Sequence, residues 1–238
     1  MSSMGPSNDI IQQEDRANGA YTLLVDFRWK KFNALITEKD DPDAKPLYIV
    51  DYKTLKPHLV FKHVAENANF GTASFHTFSI NADCELRGQP ITLKALKRWL
   101  TQYEHLSRSF SKTGEPVAMS WHSSSGFKSW DFICVDEEQN PVAKFSANAW
   151  SFKKVGNIEF MSSKAGVTDA MREEIIVTGI SLFYCMLLRS SSILSFFGAI
   201  FASPGHLDKD AYTAVDEAST KPDKASHGQG TKQLDMTG

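Results

Sequence analysis

Histidine is a common ligand of transition metals, and His58, His63 and His76 fall within an apolar, aromatic-rich part of this chain. A β-strand places residues five positions apart on opposite faces, so His58 and His63 would point away from each other. A zinc site requires its ligands to converge on one point. The spacing therefore predicts no metal site.

A second group contains the residue types of a nucleophilic hydrolase: His122, the serines at 123–125, and Asp131. The sequence lacks the GxSxG turn that presents a nucleophilic serine. Gly126 and Gly179 are single glycines without the spacing of a phosphate-binding loop, and no acidic calcium-binding loop is present. These patterns predict a protein that is not an enzyme and needs no cofactor.

Two short clusters combine basic residues with tryptophan, and such surfaces can hold an anionic head group. They are Arg28, Lys30 and Lys31 beside Trp29, and Lys94, Lys97 and Arg98 beside Trp99. The alternative is ordinary solvated charge. Because the formal net charge is -2, no overall positive field favours nucleic acid. The clusters predict phosphoinositides or another anionic membrane surface as the partner.

Most of the chain that precedes its long apolar segment has the pattern of short β-strands. Residues 21–29 alternate apolar and polar side chains, and turn-forming residues at 38–46 and 136–141 separate pairs of apolar runs. Strands of this kind recur about every 8–15 residues, which indicates a sandwich or a barrel.

Residues 92–106 carry a conflicting signal. Leu93, Leu96, Leu100 and Tyr103 have helical spacing, which favours a helix when the segment is taken alone. The surrounding strands support the alternative of a strand, a short turn and a second strand.

The longest apolar stretch is 174–202, where Arg189 is the one full charge after the first residue. Thr168 or Asp169 is suited to cap a helix that leads into it. The apolar side chains cover every helical face, so the helix must lie in a protein core or in lipid. The first apolar part, of about 14 residues, has the length of a core helix. Its core residues are expected to be Ile175, Val177, Ile180, Leu182, Phe183, Met186 and Leu187.

Arg189 and the serines at 190–192 interrupt this stretch, and the apolar sequence resumes at 193–202. We treat 190–202 as a second apolar segment. An exposed apolar patch of that size marks an interaction surface, so 193–202 are expected to contact a protein partner or a bilayer.

The two ends of the chain, residues 1–19 and 203–238, are polar and without periodicity, and we expect them to be disordered. The N-terminal residues lack the features of a secretory signal. The three cysteines, Cys84, Cys134 and Cys185, form no metal or disulfide pattern, which favours a reducing compartment. We therefore expect an intracellular, cytoplasmic protein that could be peripheral at a membrane.

Several motifs in this β-rich region resemble the tubby C-terminal-like superfamily, which includes LURP-one-related proteins and phospholipid scramblases. They are Trp130 and Asp131 at a strand start, the 136–141 hairpin followed by VAKF, WSFKKVGNIEF at 150–160, and REEIIVTGI at 172–180. The likeness covers about residues 20–189.

The resemblance implies a closed antiparallel barrel of about twelve strands around a central hydrophobic C-terminal helix at about 168–189. It implies no enzymatic activity, and in tubby domains surface Lys and Arg residues bind phosphoinositides. This chain departs from the family in lacking an identifiable tubby lipid ligand and in carrying the additional apolar residues 193–202.

Three functions stay open at this point. The first is a barrel that binds phosphoinositides or another acidic partner. The second is a single-pass membrane protein anchored by residues 174–202. The third is an intracellular scaffold or carrier with no lipid role.

Overall fold

The structure is a computed structural model that describes residues 20–76, 79–97, 100–125, 130–147, 154–191 and 205–207. Side chains are not described at 124–125, 154–155 and 189–191. All described residues belong to one compact unit that ends at Leu207. The predictions for residues 1–19, 192–204 and 208–238 lie outside the described residues.

Twelve antiparallel strands form one closed barrel, since β1 pairs with both β2 and β12. The strands are β1 Thr22–Arg28, β2 Asn33–Glu38, β3 Pro46–Tyr52, β4 Leu59–His63, β5 Asn69–Phe75, β6 Ala82–Leu86, β7 Gln89–Ala95, β8 Gln102–Ser107, β9 Val117–Ser125, β10 Trp130–Val135, β11 Pro141–Ala147 and β12 Lys154–Phe160. Closure leaves no unpaired sheet edge. This architecture is the one that the resemblance implied.

Alternation of side chains directs one face of each strand into the barrel. In β1, Leu23 and Val25 are fully buried, whereas Leu24 and Asp26, which alternate with them along the strand, are partly exposed. A twelve-stranded barrel is too wide for strand side chains alone to fill, so its interior needs an additional element.

That element is helix α1, Asp169–Ser191, which follows a short 3-10 turn at Lys164–Gly166. Thr168 caps it, because the Thr168 Oγ1 accepts a hydrogen bond of 3.2 Å from the Met171 N–H. Helix side chains contact strands on several sides of the barrel. Trp121 Nε1 of β9 donates to Thr178 Oγ1 at 3.2 Å, and Phe183 packs edge-on against Phe145 of β11.

The predicted core residues of α1 fall into two groups. Ile175, Val177, Ile180, Leu182 and Phe183 are buried, whereas Met186 and Leu187 near the end of the helix are partly buried against the core. Gly179 permits a close approach, since a Cβ at this position would lie 3.1 Å from Cη2 of Trp121. Within the described part of the chain, no helix is both long and apolar enough to span a bilayer.

Successive loops alternate between the two ends of the barrel, because each strand pairs antiparallel with its sequence neighbours. Loops that follow odd-numbered strands share the end where α1 finishes, and there Tyr184 contacts Tyr52 and Phe75. We call this end the helix-end rim. Its described loop residues are 29–32, 53–58, 76, 79–81, 96–97 and 100–101.

The opposite end, where α1 begins, is the helix-start rim. Its loops are 39–45, 64–68, 87–88, 108–116, 136–140 and 161–168.

The local preference for a helix over 92–106 is wrong, and the alternative had the two strands right. The segment contains the end of β7 and most of β8, and the register pairs Lys94 with Glu104. Leu93 and Ala95 are buried in the barrel as alternate residues of β7. Burial on a shared sheet face outweighs the helical spacing of four apolar residues.

Strand β6 was not foreseen from the sequence. Its side chains alternate regularly along the strand. Ala82, Cys84 and Leu86 are buried, and Asp83 and Glu85 are exposed. A two-residue turn joins it to β7.

That turn has a positive φ at both of its residues, +50° at Arg87 and +82° at Gly88. This is the geometry that two-residue hairpin loops favour.

Candidate functional site

The first predicted basic cluster lies at the helix-end rim. Arg28 is the last residue of β1, is partly exposed, and donates from Nε to Asn33 Oδ1 at 3.1 Å. Lys30 and Lys31 are exposed in the loop that follows. Their chains extend from a short turn in which the Lys31 N–H donates to the Arg28 carbonyl oxygen at 3.2 Å.

The second predicted cluster reaches the same end of the barrel. Lys97 is exposed in the loop between β7 and β8. Lys94 lies on the outer face of β7, where its Nζ donates to the backbone oxygen of His206 at 3.0 Å. Arg98 and Trp99 lie outside the described residues.

The Lys94 contact belongs to a short segment of the predicted tail, Gly205, His206 and Leu207, that lies against β7 and β8. The Gly205 N–H donates to the Ala95 carbonyl oxygen at 3.2 Å. Glu104 accepts from the Leu207 N–H at 3.0 Å, and its other oxygen lies 2.9 Å from His206 Nδ1. Lys94 is therefore partly engaged within the protein, whereas Lys97 is not covered by these contacts.

The structure adds two lysines that the sequence interpretation missed. Lys53 and Lys56 are exposed in the loop 53–58 between β3 and β4, together with Leu55. The KTLK sequence repeats the pairing of lysine with an apolar residue seen at 29–32. The loop lacks the tryptophan that accompanies both of the predicted basic clusters.

A chain of contacts joins the loops of the helix-end rim. The Tyr52 N–H donates to the Phe32 carbonyl oxygen at 3.2 Å, which links the first two loops. Lys56 Nζ lies 3.2 Å from His76 Nδ1, which links the second loop to the third. Asn81 Oδ1 accepts from the Ala95 N–H at 3.0 Å, which links the third to the start of the fourth.

The charges of the two rims differ in sign. In the described loop residues of the helix-end rim there are five lysines and no aspartate or glutamate; the lysines are Lys30, Lys31, Lys53, Lys56 and Lys97. The loops of the helix-start rim hold eight acidic and six basic residues. The acidic ones are Asp40, Asp41, Asp43, Glu66, Glu115, Asp136, Glu137 and Glu138. The described loops of the helix-end rim are thus positively charged, although the formal net charge of the whole chain is -2.

Histidines near the lysines respond to this positive charge. Burial lowers the pKa of His58, and the neighbouring Lys56 and His76 lower it further. Burial also lowers the pKa of His122, assisted by Lys97. Both shifts favour the neutral imidazole, so at neutral pH the positive charge of the rim comes from its lysines.

Aromatic rings support the first loop from below. Phe27 contacts Trp29 with ring centroids 4.8 Å apart, Phe32 at 5.7 Å, and Tyr52 at 5.3 Å. Phe32 has a φ of +49°, a conformation that is unfavourable for a bulky side chain. It nevertheless holds a large apolar ring that is 48% exposed. Strain combined with apolar exposure is typical of functional positions.

The helix-start rim places charge in the interior. Glu173, at the first buried turn of α1, is inaccessible to solvent and accepts two bonds of 2.7 Å from Arg87 and one contact of 2.9 Å from His63 Nε2. The adjacent Glu174 lies 3.0 Å from His105 Nε2, and both side chains are buried. The arrangement is a paired structural cluster.

Each histidine of the hypothetical metal group contacts a different partner. His58 Nδ1 accepts from the Phe75 N–H, His63 contacts Glu173, and His76 Nε2 lies 2.6 Å from Asp83. Among the residues with described side chains, no three potential ligands form a metal-binding group.

In the hydrolase group, the side chains of His122 and Asp131 contact residues outside the group. His122 Nδ1 lies 2.9 Å from Gln102 Nε2, and Asp131 forms a salt bridge of 3.2 Å with Lys144.

No family model and no curated protein sequence matches this chain. An X-ray structure of a protein from Arabidopsis thaliana is similar to it at 11% sequence identity and a TM-score of 0.42. The match covers 73% of this chain and 96% of the Arabidopsis chain.

Proposed function

We propose that this protein is a non-enzymatic, tubby-like barrel that binds anionic phospholipid surfaces, phosphoinositide-containing ones included, through its helix-end rim. One observation carries the proposal: the five lysines of that rim lie on three loops with no acidic residue among the described loop positions. Membership of the tubby C-terminal-like superfamily is part of the proposal. The twelve-stranded barrel around a helix supports it, together with the motifs at 150–160 and 172–180.

Electrostatics favours a membrane as the partner of such a surface. A basic residue held close to an anionic leaflet contributes about 1 kcal/mol to binding, so several on one face act together. Spreading the lysines over separate loops suits a flat, laterally continuous negative surface, because each lysine can meet a different head group. A single inositol phosphate would need donors that converge on one point.

The membrane-anchor and scaffold alternatives predict different experimental results. For the membrane-anchor alternative, the helix that would cross the bilayer is buried from Ile175 to Phe183 against barrel strands. Extraction of membranes at alkaline pH separates these cases, because a peripheral barrel is released and an integral protein stays in the pellet. For the scaffold alternative, vesicle binding would be absent.

The test compares two variants with the same change in charge at opposite ends of the barrel. In the first, Lys30, Lys31, Lys53 and Lys56 of the helix-end rim are changed together to alanine. In the matched control, the same change is made at four lysines of the helix-start rim, Lys39, Lys45, Lys112 and Lys164. Sedimentation with vesicles of phosphatidylcholine and phosphatidylserine, with and without a phosphoinositide, measures the affinity.

We expect the helix-end variant to bind at least about tenfold more weakly than the wild type, because four contributions near 1 kcal/mol are removed. The control should bind like the wild type. An equal loss of vesicle affinity in both variants would mean that net charge alone explains the binding. That result would contradict the assignment of the helix-end rim as the binding surface. Wild-type protein that fails to sediment with either vesicle would reject lipid binding altogether.

A further inference from the structure

Large exposed apolar side chains are concentrated at the same end of the barrel as the lysines. Of seven such residues in the described part of the chain, five lie at the helix-end rim: Trp29, Phe32, Leu55, Leu100 and Leu188. Val64 and Met161 lie at the helix-start rim. Exposed apolar groups are normal when scattered singly, but a cluster marks an interaction surface.

Four of these apolar residues lie in the loops that carry the lysines. In 29–32 two lysines lie between Trp29 and Phe32, and in 53–56 Leu55 precedes Lys56. Leu55 is the most exposed of the set at 79%, Trp29 follows at 61%, and Leu100 in the β7–β8 loop is 58% exposed. Any partner of this rim would therefore contact lysines and apolar side chains together.

We infer that these loops enter the bilayer interface, so that the barrel binds end-on and the side chains of Trp29, Phe32, Leu55 and Leu100 contact the apolar part of the bilayer. The inference rests on the proposed function and adds the depth and orientation of binding. Tryptophan is enriched where a membrane meets water, since its ring has an apolar body and a polar N–H. Lysine complements it, because its long apolar stem lets the ammonium group stay among the head groups.

Charge complementarity selects a lipid surface over another apolar partner. A protein patch that matched the leucines alone would leave the neighbouring lysines desolvated without counter-charges. A phosphate-rich interface next to hydrocarbon satisfies both the lysines and the apolar side chains. Phe32 fits this role as well, because its ring is 48% exposed in spite of its contacts with Phe27 and Tyr52, and its backbone has a φ of +49°.

The experiment uses the full chain with a single attached probe. Leu55→Cys supplies an exposed thiol, whereas the native Cys84, Cys134 and Cys185 are buried, so an environment-sensitive dye labels the new site selectively. Met161→Cys gives a matched probe at the opposite rim, where Met161 is 45% exposed. Both labelled proteins are mixed with phosphatidylcholine–phosphatidylserine vesicles that contain a spin-labelled quencher in the acyl chains.

We expect a blue-shifted, quenchable emission from the Leu55→Cys probe and no change from the Met161→Cys probe. Sedimentation of the same samples reports binding independently. If the protein sediments with vesicles but the Leu55→Cys probe is unchanged, insertion is wrong and lysine-driven binding stands. If nothing sediments, both are wrong. An equal shift with poly-glutamate in place of vesicles would indicate an acidic protein partner and overturn the inference.

A second variant separates insertion from charge without a probe. Leu55→Ser should weaken vesicle binding by about tenfold at about 0.5 M salt, where exposed charges are largely screened. The lysine variant should lose most of its affinity difference from the wild type under that condition. A Leu55→Ser protein that binds like the wild type at high salt would contradict insertion of this loop.

Discussion

At the helix-start rim, Glu173 is enclosed and bonded to Arg87 and His63, and the loops around it are rich in carboxylates. At the helix-end rim, lysines and large apolar side chains face outward. The first arrangement stabilises the fold, because a carboxylate without solvent access is paired with His63 and with Arg87, whose own side chain is 57% exposed. The second adds little to stability and fits the proposed membrane-binding role. The comparison shows that charge alone does not identify a binding site. What distinguishes the two rims is whether the charged groups face the protein interior or the solvent.

The largest effect that tests this comparison is on stability. Arg87→Ala removes the main partner of a carboxylate with no solvent access, and breaking such a pair is strongly destabilising. We expect a loss of about 3 kcal/mol in the free energy of unfolding, measured by urea titration. Leu55→Ser at the other rim should change it by less than about 0.5 kcal/mol. Similar losses in the free energy of unfolding for Arg87→Ala and Leu55→Ser would contradict the distinction between the two rims.

The second largest effect tests whether positive charge alone is sufficient for binding to anionic vesicles. Starting from the variant with alanine at Lys30, Lys31, Lys53 and Lys56, four exposed acids of the helix-start rim are changed to lysine: Asp40, Asp43, Glu66 and Glu138. Salt-sensitive binding to anionic vesicles should return by about tenfold, because basic residues attract the leaflet wherever they lie.

In that protein the Leu55→Cys probe should stay silent, since the molecule would bind by its other end. A quenched probe would mean that the apolar tips insert without help from lysines. No recovery of binding would mean that the positions of the original lysines matter more than their charge.

A smaller effect concerns Phe32. Asparagine tolerates a positive φ, so Phe32→Asn should relieve strain of about 1 kcal/mol and offset the lost ring contacts with Phe27 and Tyr52. Stability should therefore be unchanged or slightly higher, while vesicle binding becomes weaker. Thermal denaturation and sedimentation on the same samples measure the two. A loss of stability above about 1 kcal/mol would assign Phe32 a structural role instead.

The smallest effect is a pH dependence from the helix-end rim. Burial, with Lys56 and His76, lowers the pKa of His58 in the folded state below the ordinary value of 6.5. The unfolded chain therefore binds more protons between these two values. The stability that His58 contributes is present above about pH 6.5 and is lost as the pH falls toward the lowered pKa.

Asparagine at position 58 can accept the bond from the Phe75 N–H but does not titrate. His58→Asn should accordingly flatten the decline in melting temperature between about pH 7 and about pH 5. An identical decline in wild type and variant would assign the acid sensitivity to other groups.

The helix and the closed barrel could be expected from the sequence, whereas the rim could not. A helix that is apolar on every face, from Ile175 to Leu187, has few stable locations, and the strand pattern before it supplies one. Assignment of loops to rims is more demanding, because it depends on the parity of every preceding strand. A missed β6 and a helix proposed over 92–106 were enough to hide that Lys97 shares an end with Lys30, Lys53 and Lys56.

The alternation of loops also fixes at which end of the barrel the wall begins and at which end the central helix finishes. The described chain enters β1 next to Ala20 at the helix-start rim, passes around the wall, and ends α1 at Ser191 near the opposite rim. If the helix-end rim binds a bilayer as proposed, Ala20 lies on the side of the barrel that faces away from the lipid.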